Sequence, residues 1–221
     1  MKARNFSVAL DVGGTFTDVI LVNMSDGRRW TTKTPSTPNN PAEAFFSGVE
    51  KIVELADIET SEIDHVFHGS TVATNTVLEG KGASTGMLVT NGFKYVLEIG
   101  RHDIPRKENL YTWVKPTRPI RPRHICEVRE RVSVDGSIEL RLKPEDVHDA
   151  CEYFKSLNIE AIAVVFLHSY LNPENEKEVL KLVSEKLPNV QISLSSDVLP
   201  VFREYERAMA TALNAYVGPR E

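Results

Sequence analysis

The sequence predicts an α/β fold, a mixed sheet flanked by helices, with additional βα units following it. Three observations predict this. The first 33 residues hold three short apolar runs parted by turn residues and then lead into a helical pattern. The last third alternates helical and strand spacing, as βα units of a largely parallel sheet do. The 221 residues, 41% hydrophobic and 26% charged, have the composition of an ordinary globular protein and enough length to bury a core.

Phe6 to Val12 reads as an apolar strand, Gly13-Gly14-Thr15 as a turn, and Thr17 to Val22 as a returning strand. Asp26-Gly27 supplies a hairpin turn into a third strand around Trp30 to Lys33. After Pro35 to Pro41, the spacing of Phe45, Val49, Ile52, Val53 and Ala56 predicts a helix to about Asp57. A strand over Asp64 to Phe67 then meets a polar turn, His68-Gly69-Ser70-Thr71, and a helix through Glu79 closed by Gly80 and Gly82. Ala83 to Thr90 is a strand, and a short helix falls within residues 91–101. Pro105, Pro116, Pro119 and Pro122 break residues 103–124 into a long loop suited to function or docking.

Ile125 to Val134 and Ile138 to Leu142 flank Asp135-Gly136 and read as a hairpin. Helix 144–157 precedes a buried strand, Ala161 to Leu167, and helix 173–187 precedes the strand Val190 to Ser195. A last helix from about Phe202 presents Tyr205, Ala208, Met209, Ala212, Leu213 and Tyr216 on one face. The sequence leaves open whether that stripe packs on this domain or begins another lobe.

The formal net charge of -5 gives no pull toward nucleic acid, and prolines interrupt the basic run Lys115 to Arg123. Cys126 and Cys151 lack metal-ligand spacing, and Cys151 shares an apolar helix face with Val147, Phe154 and Leu157, which marks a core thiol. No apolar run reaches membrane-spanning length and no signal h-region opens the chain, so a cytoplasmic location is expected.

The chemistry concentrates in Leu10-Asp11-Val12-Gly13-Gly14-Thr15-Phe16-Thr17-Asp18. Two glycines at a strand-to-strand turn let backbone amides approach an anion with no side chain intervening. Thr15 and Thr17 add hydroxyls, Asp11 at a strand end suits a hydrated divalent cation, and Asp18 suits orienting a water or supporting the turn. An ordinary Gly-Gly hairpin capped by Asp11 is the plainer alternative. The turn resembles the phosphate loop of the actin-like ATPase superfamily, whose first lobe is RNase H-like. It is neither a Walker loop nor a dinucleotide fingerprint.

Further segments narrow the resemblance. His68 to Ala83, Gly92 to Arg101, Phe166 to Pro173, Phe202 to Arg207 and Asn214 to Val217 occur in order alongside Asp11 to Asp18. Together they resemble the hydantoinase A family, which holds ATP-dependent hydantoinases, N-methylhydantoinase A, oxoprolinase and subunits of acetone and acetophenone carboxylases. The resemblance implies ATP with Mg2+ or Mn2+, a cyclic amide or ketone substrate, and a second, hydantoinase B-like subunit or domain in an oligomer. It implies Asp11, Asp18 and His68 as catalytic residues, with Asp11 also the metal ligand. Gly13, Gly14, Thr15, Phe16 and Thr17 would bind the nucleotide, and Thr71, Asn75, Arg101 and His168 the substrate.

The family's second Asp-Gly-Gly-Thr loop is not visible in this sequence. The expected organisation is therefore a nucleotide-side region over 1–200 and a helix over 201–221 leading to a further lobe, with the 221 residues inactive by themselves. Several readings stay open. His68 suits a site with Thr71, Thr74 and Asn75 or a helix start, Arg101 a phosphate or a surface ion pair, and His168 a strand-end site or a helix cap. His102 and Asp103 adjoin Arg101, while Arg203, Glu204, Glu206 and Arg207 read as a solvated helix face. The expected activity is ATP-dependent opening of a hydantoin- or oxoproline-like ring. The rivals are a carboxylase subunit, a non-catalytic nucleotide-binding or docking module, and, more remotely, a sugar kinase of the same superfamily.

Overall fold

The computed structural model describes residues 5–37, 40–101, 109, 111–114 and 116–220. His102 and Asp103 lie outside them. The chain forms two compact units, Met1–Glu79 and Gly80–Glu221. That division falls at a glycine.

In the first unit, β1 (Phe6–Val12), β2 (Phe16–Asn23) and β3 (Arg29–Pro35) form an antiparallel meander, followed by α1 (Pro41–Ala56), β4 (Ile63–Ser70) and α2 (Val72–Glu79). The sheet order is β3-β2-β1-β4, with β4 parallel to β1. A parallel pair needs a crossover, and the α1 region supplies it. Alternation puts Val8, Leu10, Val19 and Leu21 on one face, where they pack with Ile52 and Val53 of α1. Helix α1 ends at Asp57, whose left-handed backbone (φ 53°) returns its amide to Glu54 and Val53.

The second unit is built on a fully parallel sheet of order β10-β9-β5-β6, from β5 (Thr85–Thr90), β6 (Ile125–Val128), β9 (Ala161–Val165) and β10 (Gln191–Leu194). Its chain also forms α3 (Val96–Ile99), the side hairpin β7 (Arg131–Val132) and β8 (Ile138–Leu140), α4 (Pro144–Ser156), α5 (Glu174–Lys186), α6 (Ser195–Val198) and α7 (Glu204–Val217). β5 and β9 are buried along their whole length because helices cover both faces. Phe154, Val179 and Val183 pack on Leu88, Ile162 and Val164, with Cys151 in the same cluster. Ala208, Ala212 and Ala215 of α7 pack with Met87, Val89 and Ala163 on the other face. The apolar stripe of the last helix thus closes this unit's own core.

Three expected elements change, two of them because side-chain oxygens take the backbone amides. The strand expected over Ile125 to Val134 breaks at Arg129 and Glu130. The Arg129 amide donates to Asp146 (2.8 Å), and buried Glu130 accepts from the Thr90 hydroxyl and from the Asn175 side-chain amide (2.8 Å). The strand Ala161 to Leu167 stops at Val165, since the Phe166 and Leu167 amides donate to Glu176 and to the Thr90 hydroxyl, both at 2.9 Å. The polar segment at His68 begins as strand, with β4 pairing on β1 as far as Ser70.

Arg207 corrects the solvated-face reading. It is 1% exposed, and its guanidinium donates to the Phe166 and Val201 carbonyls (both 2.9 Å) and to Ser195 Oγ (3.2 Å). Burial lowers its pKa, and buried Glu176 opposes that shift. A buried charge persists only when its donors are spent on acceptors, as these are.

Candidate functional site

The turn between β1 and β2 carries the site, and the antiparallel register dictates its layout. Asp11 lies opposite Asp18, and Asp18 lies opposite Lys33 on β3. The row lies on the face opposite α1. Both aspartates are exposed, and a concavity of about 270 Å3 lined by Ala9, Asp11, Asp18, Ile20 and Thr31 lies on that face. Lys33 Nζ is 3.1 Å from Asp18 and 5.4 Å from the centre of the Phe16 ring, which is 47% exposed.

Within the turn, the Gly13 amide donates to the Phe16 carbonyl (3.1 Å), and the Ser36 amide donates to the Thr15 carbonyl (2.9 Å). The amides of Gly14 and Thr15 lie outside these bonds, as an anion-binding nest requires. Gly13 has no room for a side chain, since a Cβ there would stand 2.8 Å from the Phe16 carbonyl oxygen. At Gly14 the nearest atom to such a Cβ is Asn75 Nδ2, at 3.3 Å. Asn75 is held in turn by Thr71, whose hydroxyl accepts from its side-chain amide at 3.2 Å. The Thr71 amide donates to the Val12 carbonyl at 3.2 Å. The start of α2 therefore abuts the glycine turn, and Thr71 and Asn75 join Asp11, Gly13, Gly14 and Thr15 in one place.

Two expected members do not fit so simply. Thr17 is fully buried and its hydroxyl bonds Ser36 Oγ (3.0 Å), so it braces the turn from beneath instead of lining it. His68 is in register with Leu10, while Asp11 is in register with Gly69. Strand alternation thus places the His68 ring on the α1 side, edge-on to Phe45 at 5.8 Å and across the sheet from Asp11 and Asp18. Lys33 is the residue the sequence reading missed. The Asp26-Gly27 hairpin sets the β2–β3 register, and counting outward from it pairs position 18 with position 33.

Arg101 and His168 belong to the second unit. Arg101 makes a two-pronged ion pair with Glu206 (2.9 and 2.7 Å), the ion-pair outcome left open by its sequence. His168 has a positive φ of 55°, and its Nδ1 contacts the Val132 carbonyl at 2.8 Å, which ties the strand end to the β7–β8 hairpin. Among the described residues no group of three or more His, Cys, Asp and Glu is placed to hold a metal. The opposed Asp11 and Asp18 carboxylates suit a cation that keeps much of its water shell.

Comparison with known proteins completes the description. The model of the hydantoinase/oxoprolinase N-terminal region matches residues 7–187. Caprolactamase subunit alpha of Pseudomonas jessenii is 33% identical over 227 residues, covering 99% of this chain and 32% of that protein. Acetophenone carboxylase gamma subunit of Aromatoleum aromaticum is 32% identical, covering 96% and 31%. A nucleotide-free structure of acetone carboxylase superposes with a TM-score of 0.88 at 26% identity, covering 98% of this chain and 33% of that one. The mixed α/β, actin-like ATPase class expected from the sequence is the fold observed. This chain spans about a third of the length of the curated relatives it matches.

Proposed function

The chain belongs to the hydantoinase/oxoprolinase family through that family's N-terminal region, and from that premise we propose that it supplies the phosphate-side wall of an ATP-dependent enzyme that opens cyclic amides. The observation that carries the proposal is the Gly13-Gly14-Thr15 turn. Two of its amides lie outside the turn's own bonds, and two opposed aspartates stand beside it.

When bound, ATP supplies a phosphoryl group that activates a ring amide oxygen before water opens the ring. The chain's own residues contribute placement and charge balance, the main tasks in phosphoryl transfer. The Gly14 and Thr15 amides cradle phosphate oxygens. Asp11 would hold Mg2+ or Mn2+, which would supply charge neutralisation there, and Asp18 would support the turn beside it. Lys33 neutralises Asp18, while Asn75 and Thr71 fix the far side of the turn. Exposure of Phe16 at the rim suits contact with the nucleotide.

The names of the relatives, subunit alpha and gamma subunit, support a second subunit for this protein too. We place the activity in the complete protein with that partner, the 221 residues alone being inactive. Likeness to a caprolactamase supports the amide-opening reading. Likeness to the acetophenone carboxylase subunit supports the second reading, in which the activated oxygen belongs to an enolate that is then carboxylated.

The test is Asp11→Ala in the full-length protein with its partner. ATP turnover should fall at least about 100-fold, with an unchanged circular dichroism spectrum. Unchanged turnover would remove Asp11 from the site.

A further inference from the structure

The long proline-broken segment has no role in the glycine-turn site. Residues 116–124 form a strap. Pro116, Pro119 and Pro122 fix backbone angles, Ile120 is fully buried as an anchor, and residues 122–124 make a short 3-10 turn. The Arg123 carbonyl accepts from the Tyr153 hydroxyl (3.0 Å), which pins the strap to α4. Beneath it lies a cavity of about 600 Å3, bounded by the strap on one side and by Gly82, Ser84 and Tyr216 on the other. That volume lies in the range of small-ligand sites.

The lining is basic. Arg118, Arg121 and Arg123 line it, with the Arg118 guanidinium turned toward Gly100 and Tyr205, and none is ion-paired with a carboxylate among the described residues. Elsewhere in this unit Arg101, Arg129, Arg141 and Arg220 each have an acid partner. The one acid in the lining, Glu160, is already taken by Arg220 (2.9 and 3.0 Å) and by the Ser84 amide (2.8 Å). Arg118 Nε is buried with no acceptor, and its Nη1 reaches the Tyr205 hydroxyl only at 3.5 Å. Arg123 Nε donates to His124 Nε2 at 3.3 Å, which needs a neutral imidazole at that nitrogen. The pKa of His124 is lowered by burial first and by Arg123 and Arg121 after it, against a hydrogen bond with the Thr85 backbone that raises it. Arginines on a prolyl strap without acid partners keep their donors free for an acceptor-rich guest, and the prolines limit the backbone freedom left to lose.

We infer that this cavity binds a small multivalent anion, one carrying two or more phosphate or carboxylate groups, through Arg121 and Arg123 with Arg118 at its wall. The inference is independent of the glycine-turn reading, since it concerns the other unit and different residues.

Titration calorimetry on the full-length protein tests it, with inorganic pyrophosphate and tricarballylate as the two probes. Arg121 and Arg123 are exposed, so the double variant R121Q/R123Q keeps the fold, and R141Q serves as a single-charge control away from the cavity. At least one probe should bind, with R121Q/R123Q weakening it about tenfold or more and R141Q leaving it unchanged. Absence of binding by both probes would overturn the inference. So would binding that survives R121Q/R123Q, which would place the anion elsewhere, including the glycine turn.

Discussion

A Cβ at Gly13 would meet a backbone carbonyl that cannot move without breaking the turn, while one at Gly14 would meet only the end of the Asn75 side chain. Gly13→Ala should therefore weaken nucleotide binding about tenfold or more in the full-length protein, and Gly14→Ala no more than about threefold. Fluorescent-nucleotide titration of both variants checks this, and equal losses would show that the amides are not placed as described. Asp11, Gly13, Gly14 and Thr15 were legible because that turn chemistry is local in sequence. Thr71 and Asn75 were legible only through family resemblance, since their contact with the turn depends on β4 pairing beside β1. The face that His68 takes follows from a one-residue register choice between β1 and β4, which a lone sequence does not reveal. Lys33 follows from the hairpin register, which pairs position 18 with position 33.

Elements were legible wherever hydrophobic periodicity alone sets them, as in β1, β2, α1, α4, β9 and α5. The misses cluster around Thr90 and Glu176, which take the Leu167 and Phe166 amides that a longer strand would have used, and around Glu130, which is held by Thr90 and Asn175. Two predictions belong to this scale. Gly86 lies on β5 under Phe154, and a Cβ there would stand 2.9 Å from that ring. Gly86→Ala should cost about 1–3 kcal/mol by overpacking, and adding Phe154→Leu should recover part of the loss in urea melts. A loss unchanged by the second substitution would mean that the backbone, not the ring, sets the constraint.

The second concerns the start of α4. Asp146 is held below the usual carboxylate range first by its hydrogen bonds from the Arg129 guanidinium, then by the Arg129 amide, with its partial burial opposing both. A depressed folded pKa gives stability that is fully present above the unfolded value, about 3.9, and is lost as pH falls through the folded value. Asp146→Asn should flatten the dependence of unfolding free energy on pH below about 4. An unchanged acid slope would show that Asp146 does not carry it.

At the scale of the whole molecule, two units of different sheet type lie in one chain, and each keeps its own core. The sequence expressed both as patterns, a meander with a helix and then a βα series. Their boundary was not legible, because Glu79-Gly80 reads as an ordinary helix end and no linker composition marks it. The last helix was legible as amphipathic, but its partner surface on β9 and β10 follows only from the parallel order of the second sheet.

The central claim is that the glycine turn serves ATP-driven opening of a cyclic amide. The most direct measurement is ADP release by the full-length protein with its partner subunit and Mg2+ or Mn2+. The arms are hydantoin, N-methylhydantoin, oxoproline and caprolactam, and acetophenone or acetone with bicarbonate. Stimulation by one of the ring amides, together with ring opening in step with ADP, is the predicted result. Stimulation by a ketone and bicarbonate alone would contradict it and assign the protein to the carboxylases, and no stimulation in any arm would leave the turn without the proposed reaction.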